Sequence, residues 1–551
     1  MALASIVVIP ARDEEDQIAG CLAALGAQTV PRDAFEVIVV LDGCSDQTGR
    51  VAERAATELS IRLSLLEGPG AGAGAARRRG MDAAAERLIA RGHDDGLVAC
   101  TDADTRPAPD WLARQLAHVR DGARAIAGMI ELAPAEARRL APEVLRRRDR
   151  DAARRLDRIR RTDPGARHHH FAGASIGVTA GVYRAVGGLE PLVALEDAAF
   201  AERLERAGIP ILRTDDVRVR TSARASGRAA RGLSVDLAVS SWTAKRRYAA
   251  SAFPPNRLRA EKRTTSVAVV IPTKECANTV AGVLATTVGP LRDAGVVDDV
   301  LVVDAHSADG TADVARRGGA RVIDQDDVLA GHGPALGKGD AMWRALHVCS
   351  ADIICFLDGD TANPDPRHLQ GLIGPLLADP SLQLVKGAFD RPLLAAGVVM
   401  PHEGGRVTEL MARPLLNLHE PRLAGFAQPL AGEFAGRRRL LESLPFPVGY
   451  GVEIGVLIDT LHAHGLDALA ECHLGERQNR HQPLRNLGEM AYAVLAAVER
   501  RVGGGRSAVG GHYLRPWDDH AVAQVAITER RPLATLDSVE PTSREQLCSA
   551  R

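Results

Sequence analysis

Short runs of consecutive apolar residues recur along the chain, each followed by polar residues and a helix-like stretch. The run from Ile353 to Leu357 is uninterrupted, which is typical of a strand buried on both faces of a parallel sheet. It ends in Asp358 and Asp360, with only Gly359 between them. Because open α/β sheets bind ligands at the carboxyl ends of their strands, this acidic pair marks a candidate binding site.

The same pattern occurs twice, which is the main organisational feature of the sequence. In each half one apolar run ends in proline, a second ends in aspartate, and a later one ends in an Asp-x-Asp triplet. The matching ends are Pro10 and Pro272, Asp42 and Asp304, and the triplets 102–104 and 358–360. The first two pairs are both 262 residues apart. The sequence therefore predicts two tandem α/β domains, at 1–250 and 266–551, joined by a linker at 251–265.

Composition narrows the class of protein. The chain has 551 residues, more than one core normally holds. Its 69 basic and 70 acidic residues give a formal net charge of −1, so no overall field favours nucleic acid or an anionic membrane. The start of the chain does not resemble a signal peptide, no apolar stretch has membrane-spanning length, and the cysteines form no Cys-x-x-Cys pair. We expect a cytoplasmic protein with reduced cysteines.

The acidic pair suggests a particular chemistry. Two carboxylates this close repel each other unless a positive charge joins them, and a divalent cation carrying a diphosphate does so. Solvated loops contain many Asp-x-Asp triplets, but here the buried strand and the second copy strengthen the interpretation. A glycine-rich segment with a cation precedes each triplet, Arg77 in the first half and Lys338 in the second. Such cations suit phosphate oxygens.

These features match the nucleotide-sugar half of an A-type, Rossmann-like glycosyltransferase. The first half resembles the large inverting family of these enzymes at 9–15, 42–46, 102–104 and 195–197. The second half resembles the glucosyl-3-phosphoglycerate synthases, which are retaining enzymes. That resemblance covers roughly 266–500, with its motifs at 337–344, 404–410, 413–416 and 447–455.

For the second half, the resemblance implies a nucleotide-sugar donor, Mg²⁺ or Mn²⁺ on its diphosphate, and 3-phosphoglycerate as acceptor. The implied donor-binding residues are Pro272, Glu275, Asp304, Lys338, Asp358 and Gly359. The implied acceptor-binding residues are Gly405, Arg406, Val407, Thr408, Tyr450 and Asn479. Asp360 and His481 are the implied metal ligands, and Lys338 and Glu453 the catalytic residues.

Two departures from the family pattern affect these assignments. The glutamate that usually follows the first strand is replaced by Cys276, with Glu275 beside it. The family's His-Arg-Asn triplet, whose histidine binds the metal, is here Asn479-Arg480-His481. Either His481 or Asn479 then supplies the third ligand. We favour His481, because imidazole binds Mn²⁺ better than an amide does.

For the first half, the inverting resemblance implies donor contacts from Pro10, Asp42, Arg77 and Asp102, and a metal ligand in Asp104. An inverting transfer needs a general base, for which Asp197 is the candidate and Glu196 the alternative. A non-catalytic structural domain is the other interpretation of this half.

The predicted function is glycosyl transfer at two sites. The second half is expected to form glucosyl-3-phosphoglycerate from a nucleotide-glucose, with UDP-glucose as the expected donor, and the first half to act on an unknown acceptor. The alternatives are a mannosyl-3-phosphoglycerate synthase, a sugar nucleotidyltransferase, and a first half that only binds a partner. A nucleotidyltransferase carries a glycine-rich loop directly after its first strand, and the turns after Pro10 and Pro272 lack one. The sequence leaves a homodimer open.

Overall fold

The computed structural model describes residues 4–192, 194–225, 227, 231–395, 398–400, 404–478, 483–502 and 510–536. The chain divides into two compact units, Met1–Ser241 and Trp242–Arg551. Each unit contains one eight-stranded sheet.

The sheet of the first unit has the strand order β3-β2-β1-β4-β7-β6-β8-β5. Strands β1, β2, β3 and β4 run parallel, and β7 is antiparallel to β4. The strands are β1 Ser5–Ala11, β2 Phe35–Leu41, β3 Leu63–Glu67, β4 Leu97–Cys100, β5 Thr105–Pro107, β6 Ala125–Leu132, β7 Ile176–Thr179 and β8 Ile211–Thr221.

Helices cover both faces of this sheet. The helices that begin in this unit are α1 Ile18–Gly26, α2 Thr48–Glu58, α3 Ala73–Ala90, α4 Trp111–Arg120, α5 Pro134–Ala137, α6 Pro142–Ile159, α7 Ala180–Ala185, α8 Glu196–Arg206 and α9 Leu233–Arg246. Val7 and Ile9 pack in one core cluster with α1, α2 and α4. Ile6 and Val8, on the other face of β1, pack with α3, α7 and α8. An uninterrupted apolar run is therefore required in β1, because both of its faces are buried.

The second sheet has the order β12-β11-β10-β13-β17-β14-β19-β9. Strands β10 to β13 run parallel, and β17 is antiparallel to β13. The strands are β9 Arg247–Ala249, β10 Val267–Thr273, β11 Asp299–Asp304, β12 Arg321–Asp324, β13 Ile353–Phe356, β14 Leu384–Asp390, β17 Phe434–Arg437 and β19 Leu469–Glu476. Three small sheets pair β15 Leu393–Ala395 with β16 Val398–Met400, β18 Phe446–Pro447 with β22 Glu529–Arg530, and β20 His512–Arg515 with β21 Ala521–Gln524.

The helices of the second unit are α10 Pro255–Lys262, α11 Ala277–Gly282, α12 Gly289–Asp293, α13 Thr311–Arg317, α14 Lys338–Val348, α15 Pro366–Ala378, α16 Arg413–His419, α17 Arg438–Ser443, α18 Val452–His464 and α19 Leu487–Val502. A π-helical stretch, Val283–Val288, joins α11 to α12. A second one, Thr408–Ala412, leads directly into α16.

The predicted α/β class is confirmed, but the segment between the halves differs from the expected linker. Residues 251–265 contain α10, and Phe253 and Leu258 are buried in the core of the second unit. Strand β9 likewise pairs with β19 of the second sheet. The Pro-Pro pair at 254–255 begins a helix here, as proline can at the first helical position.

The hydropathy of the helices and the state of the cysteines are visible in the described residues. None of the described helices is both long enough and apolar enough to cross a membrane. The seven cysteines of the described residues are free thiols, and all but Cys44 are buried. The six buried cysteines act as small apolar residues of the core.

Candidate active site

The carboxyl ends of β10 and β11 are tied together by a set of short bonds in the second unit. Glu275 adopts a left-handed backbone conformation, and its carboxylate accepts a hydrogen bond from the Ala308 amide at 2.9 Å. The Cys276 amide donates to Thr311 Oγ1 at 2.8 Å. Asp304 is buried and accepts bonds from Thr273 and Ser307. The Glu275 carboxylate therefore links the loop after β10 to the loop after β11.

The first unit repeats this arrangement. Asp13 has the left-handed conformation of Glu275 and accepts a bond from the Ser45 amide, while the Glu14 amide donates to Thr48 Oγ1 at 2.7 Å. Cys276 thus occupies the position of Glu14, 262 residues earlier in the chain. The backbone of the loop is retained although the glutamate side chain is absent.

Lys338 joins two carboxylates beside the end of β13. It is the first residue of α14, and its Nζ lies 2.7 Å from Asp358 Oδ1 and 3.2 Å from Glu453 Oε1. Partial burial disfavours the ammonium, but Asp358 and Glu453 outweigh this effect and raise the pKa of Lys338. The Lys338 side chain remains 27% exposed, so a ligand can reach it.

Gly432 allows the chain to pass close to this ion pair. A Cβ added at Gly432 would overlap Lys338 Nζ and lie 2.9 Å from Asp358 Oδ1. Gly339 has a similar role on the other side, where a Cβ would overlap the Pro447 carbonyl oxygen. Only glycine fits at these two positions without moving the Lys338 side chain or the backbone.

Two buried charged residues, Glu433 and Arg477, lie near Asp358. Glu433 and Arg477 are 1% and 2% exposed and form an ion pair, and Arg477 also donates to His368 Nδ1 at 2.8 Å. Burial opposes ionisation of Asp358, but Lys338 and Arg477 outweigh it and lower the pKa of Asp358. Asp358 is therefore held as a carboxylate.

Lys386 of β14 is a buried amine near Asp358 and Glu453. It is 1% exposed and donates to the Ala431 carbonyl, next to Gly432. Burial lowers the pKa of Lys386 to about 7. Its ammonium form is therefore close to balance with the neutral amine at neutral pH.

The carboxyl-terminal segment fixes the loop before Lys338. Asp340 is fully buried and accepts from Arg530 Nη2 at 2.6 Å, and Arg530 also donates to the His332 carbonyl at 3.0 Å. Strand β22 places Arg530 opposite Phe446 of β18. No local motif marks this contact, because Arg530 and Asp340 lie 190 residues apart in the chain.

The donor set at β13 fits a hard divalent cation. Asp358 and Asp360 present carboxylate oxygens on either side of Gly359, and Asp360 is exposed. Mg²⁺ and Mn²⁺ prefer such oxygen ligands. Asn479 and His481, the two candidates for a third ligand, lie outside the described residues.

The predicted acceptor loop is partly helical. Thr408 is buried and begins the π-helical stretch, and the Gly405 carbonyl accepts from the Glu409 amide. Arg406 and Val407 are half-buried. The Gly404 amide donates to the Arg391 carbonyl at 2.9 Å, so it is not available to a ligand.

Tyr450 is exposed and borders a cleft of about 510 Å³. The rest of the lining comes from Arg485, Asn486, Glu489, Arg515, Trp517 and Asp518. Lys338, Asp358 and Glu453 do not line this cleft. Among the other predicted donor residues, Pro272 is half-buried in β10, opposite Val303.

In the first unit, Arg77 lies between two carboxylates as Lys338 does in the second unit. Arg77 Nη2 lies 2.7 Å from Asp102 Oδ1, and Arg77 also pairs with Glu196 at the start of α8. Arg77 is the fifth residue of α3, one turn further along its helix than Lys338. A Cβ at Gly173 would overlap the Arg77 guanidinium, as one at Gly432 would overlap Lys338.

The other predicted residues of the first unit lie at or near the ends of β1, β2 and α8. Pro10 is buried in β1, opposite Val40. Asp42 accepts from the amides of Gly70 and Gly72, both at 2.8 Å, so it anchors the glycine-rich loop. Asp197 is half-buried at the start of α8, with its Oδ1 accepting from the Ala198 amide.

Asp104 contacts a residue that the sequence interpretation did not consider. Its Oδ2 lies 3.1 Å from Arg224 Nη2, and Arg224 also donates to Glu14 with both terminal nitrogens. Burial and the neighbouring Asp102 raise the pKa of Asp104 to about 6, although Arg224 opposes this. No local motif marks Arg224, because its two partners are distant in sequence.

Comparison with known proteins identifies the family of the chain. The family model "Glycosyl transferase family 2" matches residues 6–179 and 268–403, more than half of the chain. The chain belongs to this family. The prediction that the chain is an enzyme, a glycosyltransferase, is confirmed.

The proteins similar to this glycosyltransferase include glucosyl-3-phosphoglycerate and mannosyl-3-phosphoglycerate synthases. Glucosyl-3-phosphoglycerate synthase of Mycolicibacterium smegmatis is 42% identical over 282 residues, covering 51% of this chain and 92% of that protein. A crystal structure of the Mycobacterium tuberculosis enzyme with Mn²⁺, uridine-diphosphate-glucose and phosphoglyceric acid is 39% identical, covering 51% of this chain and 95% of that one, with a TM-score of 0.47. Mannosyl-3-phosphoglycerate synthase of Rubrobacter xylanophilus is 41% identical, covering 54% and 98%, with a TM-score of 0.49.

We predict that Lys386→Met changes how the stability of this glycosyltransferase depends on pH. Between the native pKa of about 7 and the ordinary value of 10.5, the unfolded state binds one more proton at Lys386 than the native state does. Wild-type stability should therefore rise with pH relative to the variant, by at most about 1.4 kcal/mol per pH unit. Chemical denaturation at several pH values measures the difference.

The control is Lys274→Met, because Lys274 is exposed. The difference in unfolding free energy between the wild type and this control should stay flat over the same range. A flat difference for Lys386→Met as well would show that Lys386 is not buried in the manner described.

Proposed function

We propose that the carboxyl-terminal unit transfers glucose from a nucleotide-glucose, UDP-glucose being the expected donor, to 3-phosphoglycerate. The observation that carries the proposal is Lys338, held between Asp358 and Glu453 beside the second carboxylate, Asp360. A relative that is 42% identical over 92% of its own length is named glucosyl-3-phosphoglycerate synthase. The motifs that resemble this family lie in the same unit.

Lys338 has the position and charge to stabilise the leaving group. As the bond from the sugar to the diphosphate breaks, negative charge grows on the phosphate oxygens, and a preorganised ammonium stabilises it. Asp358 and Asp360 would hold Mg²⁺ or Mn²⁺, which supplies further positive charge to the diphosphate when bound. Asp304 and Pro272, at the ends of β11 and β10, would contact the nucleoside side of the donor.

Glu453 would orient the sugar. It is buried, its Oε1 is bonded to Lys338, and its other oxygen can accept a hydrogen bond from a glucose hydroxyl. Arg406 and Thr408 would bind the phosphate or the carboxylate of 3-phosphoglycerate, since a guanidinium forms paired hydrogen bonds with such groups. Tyr450 would contribute from the neighbouring cleft.

We infer transfer with retention of configuration. The acceptor hydroxyl would attack the face that the diphosphate leaves, and its proton would pass to a leaving phosphate oxygen. No side chain is assigned as a covalent nucleophile, because Glu453 is already engaged with Lys338.

We propose that the amino-terminal unit is a second A-type glycosyltransferase of the inverting kind. Its support is the repeated sheet order and the repeated bridge from Arg77 to Asp102 and Glu196. Asp197 would act as general base, since Glu196 is buried and paired with Arg77. Its acceptor is not specified by these residues.

The first prediction is that the full chain releases nucleoside diphosphate from UDP-glucose only when 3-phosphoglycerate and Mn²⁺ or Mg²⁺ are present. GDP-glucose and GDP-mannose serve as alternative donors in the same assay. Asp360→Ala should lower the phosphoglycerate-dependent rate at least about 100-fold, since charge stabilisation in the transition state is lost. Asp104→Ala should leave that rate unchanged.

If only GDP-mannose supports release, the transferred sugar is mannose and not glucose. If no donor supports release, or if Asp360→Ala retains full activity, the carboxyl-terminal site is wrongly assigned.

A second prediction concerns the close approach at Gly432. In Gly432→Ala the new methyl group would displace Lys338, and transfer should fall at least about tenfold, because small misplacements of a catalytic group are costly. The matched control is Gly331→Ala, whose added Cβ would meet no atom within 4 Å. Equal activity of both variants would contradict the role given to Lys338.

A further inference from the structure

The cleft beside Tyr450 is separate from the ion pair of Lys338, because Lys338, Asp358 and Glu453 do not line it. Its volume of about 510 Å³ is within the range of about 300–1,000 Å³ that is typical of small-molecule sites. Besides Tyr450, its lining residues come from the start of α19 and from the hairpin of β20 and β21: Arg485, Asn486, Glu489, Arg515, Trp517 and Asp518.

Contacts between these elements hold the walls of the cleft in place. Glu489 of α19 accepts a hydrogen bond from Arg515 Nε at 2.7 Å, which ties the hairpin to the helix. The loop that carries Tyr450 packs closely on the same helix, since a Cβ added at Gly451 would lie 2.8 Å from Ala497 Cβ. The cleft is therefore largely formed before a ligand binds, which lowers the entropic cost of binding.

The aromatic side chains of the cleft suit the apolar face of a sugar ring. Trp517 is 42% exposed and Tyr450 is also exposed, so two rings with apolar bodies and polar tips border the cleft. The C–H groups of a pyranose pack on such rings, while its hydroxyl groups need hydrogen-bond donors and acceptors. The Arg485 guanidinium, centred 5.4 Å from the Trp517 ring centroid, offers donors, and the Asn486 amide offers both.

The charges of the lining favour a neutral ligand. Two arginines and two carboxylates line the cleft, so their formal charges cancel. Arg515 pairs with Glu489, and its Nη1 also lies 3.6 Å from Asp518 Oδ2. An anion would have to compete with both carboxylates for this guanidinium, whereas a polyhydroxylated neutral ligand can bond to cations and carboxylates together.

We propose that this cleft binds the neutral hexose ring of a glycoside, at a sugar site separate from the donor site at Lys338. Tyr450 lies in the loop before α18, and Glu453 is the second residue of that helix. One short loop therefore connects the cleft to the proposed transfer site. The inference goes beyond the proposed function and does not rest on it, because a simple glycoside needs neither donor nor metal to bind.

Tryptophan fluorescence of the full chain tests the proposal. The chain has four tryptophans, and Trp111, Trp242 and Trp343 are at most 1% exposed, so a ligand in the cleft should act on the emission of Trp517. Methyl α-D-glucopyranoside, added without nucleotide sugar or metal, should cause a saturable change with half-saturation on the order of 1 mM. Inorganic phosphate at the same concentrations should cause none.

Ligand-observed saturation-transfer NMR then measures binding in variants. Trp517→Ala should weaken glycoside binding at least about tenfold, since the aromatic surface is lost. The matched control is Leu514→Ala, because Leu514 is exposed on the same hairpin and does not line the cleft. Its affinity should equal that of the wild type.

Three results would overturn the proposal. The first is no saturable response of the wild type to the glycoside, a result that needs no variant to fold. The second is unchanged glycoside binding in Trp517→Ala while circular dichroism shows an intact fold. The third is a response to phosphate in place of the glycoside, which would make the cleft an anion site. Trp517-dependent glycoside binding by a chain without phosphoglycerate-dependent transfer would support this inference and reject only the proposed function.

Discussion

A cation held between two carboxylates is the interaction on which both candidate sites depend. Lys338 joins Asp358 to Glu453 in one unit, and Arg77 joins Asp102 to Glu196 in the other. Removing such a cation would leave two poorly solvated carboxylates facing each other, which is strongly unfavourable. The bridge therefore fixes the strand that carries the acidic triplet relative to the helix that carries the glutamate. Glycine residues at 173 and 432 leave room for it.

Much of the fold follows from local sequence. Runs such as Ser5–Ala11 and Val267–Thr273 are apolar over nearly their whole length because both faces of each strand are buried. The acidic triplets and the Lys338 loop were also identified from short motifs. The packing of residues 251–265 was not predicted, since Phe253 and Leu258 pack in a core whose other members are distant in sequence.

Residues that meet across the fold could not be predicted. Arg224 reaches Glu14 over 210 positions, Arg530 reaches Asp340 over 190, and Arg477 reaches Glu433 over 44. An arginine in a polar loop gives no local signal of its partner. Such contacts set the charge of the sites, so the sequence indicates where a site lies more readily than what it binds. Gly432 illustrates the same limit, because its role is visible only beside Lys338.

The two units share backbone contacts at their candidate sites but differ in the side chains that those contacts position. The loops after β1 and β10 keep the same backbone bonds whether the side chain is Glu14 or Cys276. The ion-pair bridge between two carboxylates is formed by Arg77 in the first unit and by Lys338 in the second. The two cations come from helix positions that are one turn apart. These substitutions preserve the geometry and alter the charge available to a ligand.

The most direct measurement of the central claim is a double-mutant cycle on UDP affinity with Lys338→Met, Glu453→Gln and both together. If Lys338 binds the donor while held by Glu453, the two changes should be non-additive by about 1–3 kcal/mol. Calorimetric titration of the four proteins gives the coupling directly. Additive effects would contradict the account, because Lys338 and Glu453 would then act independently of each other.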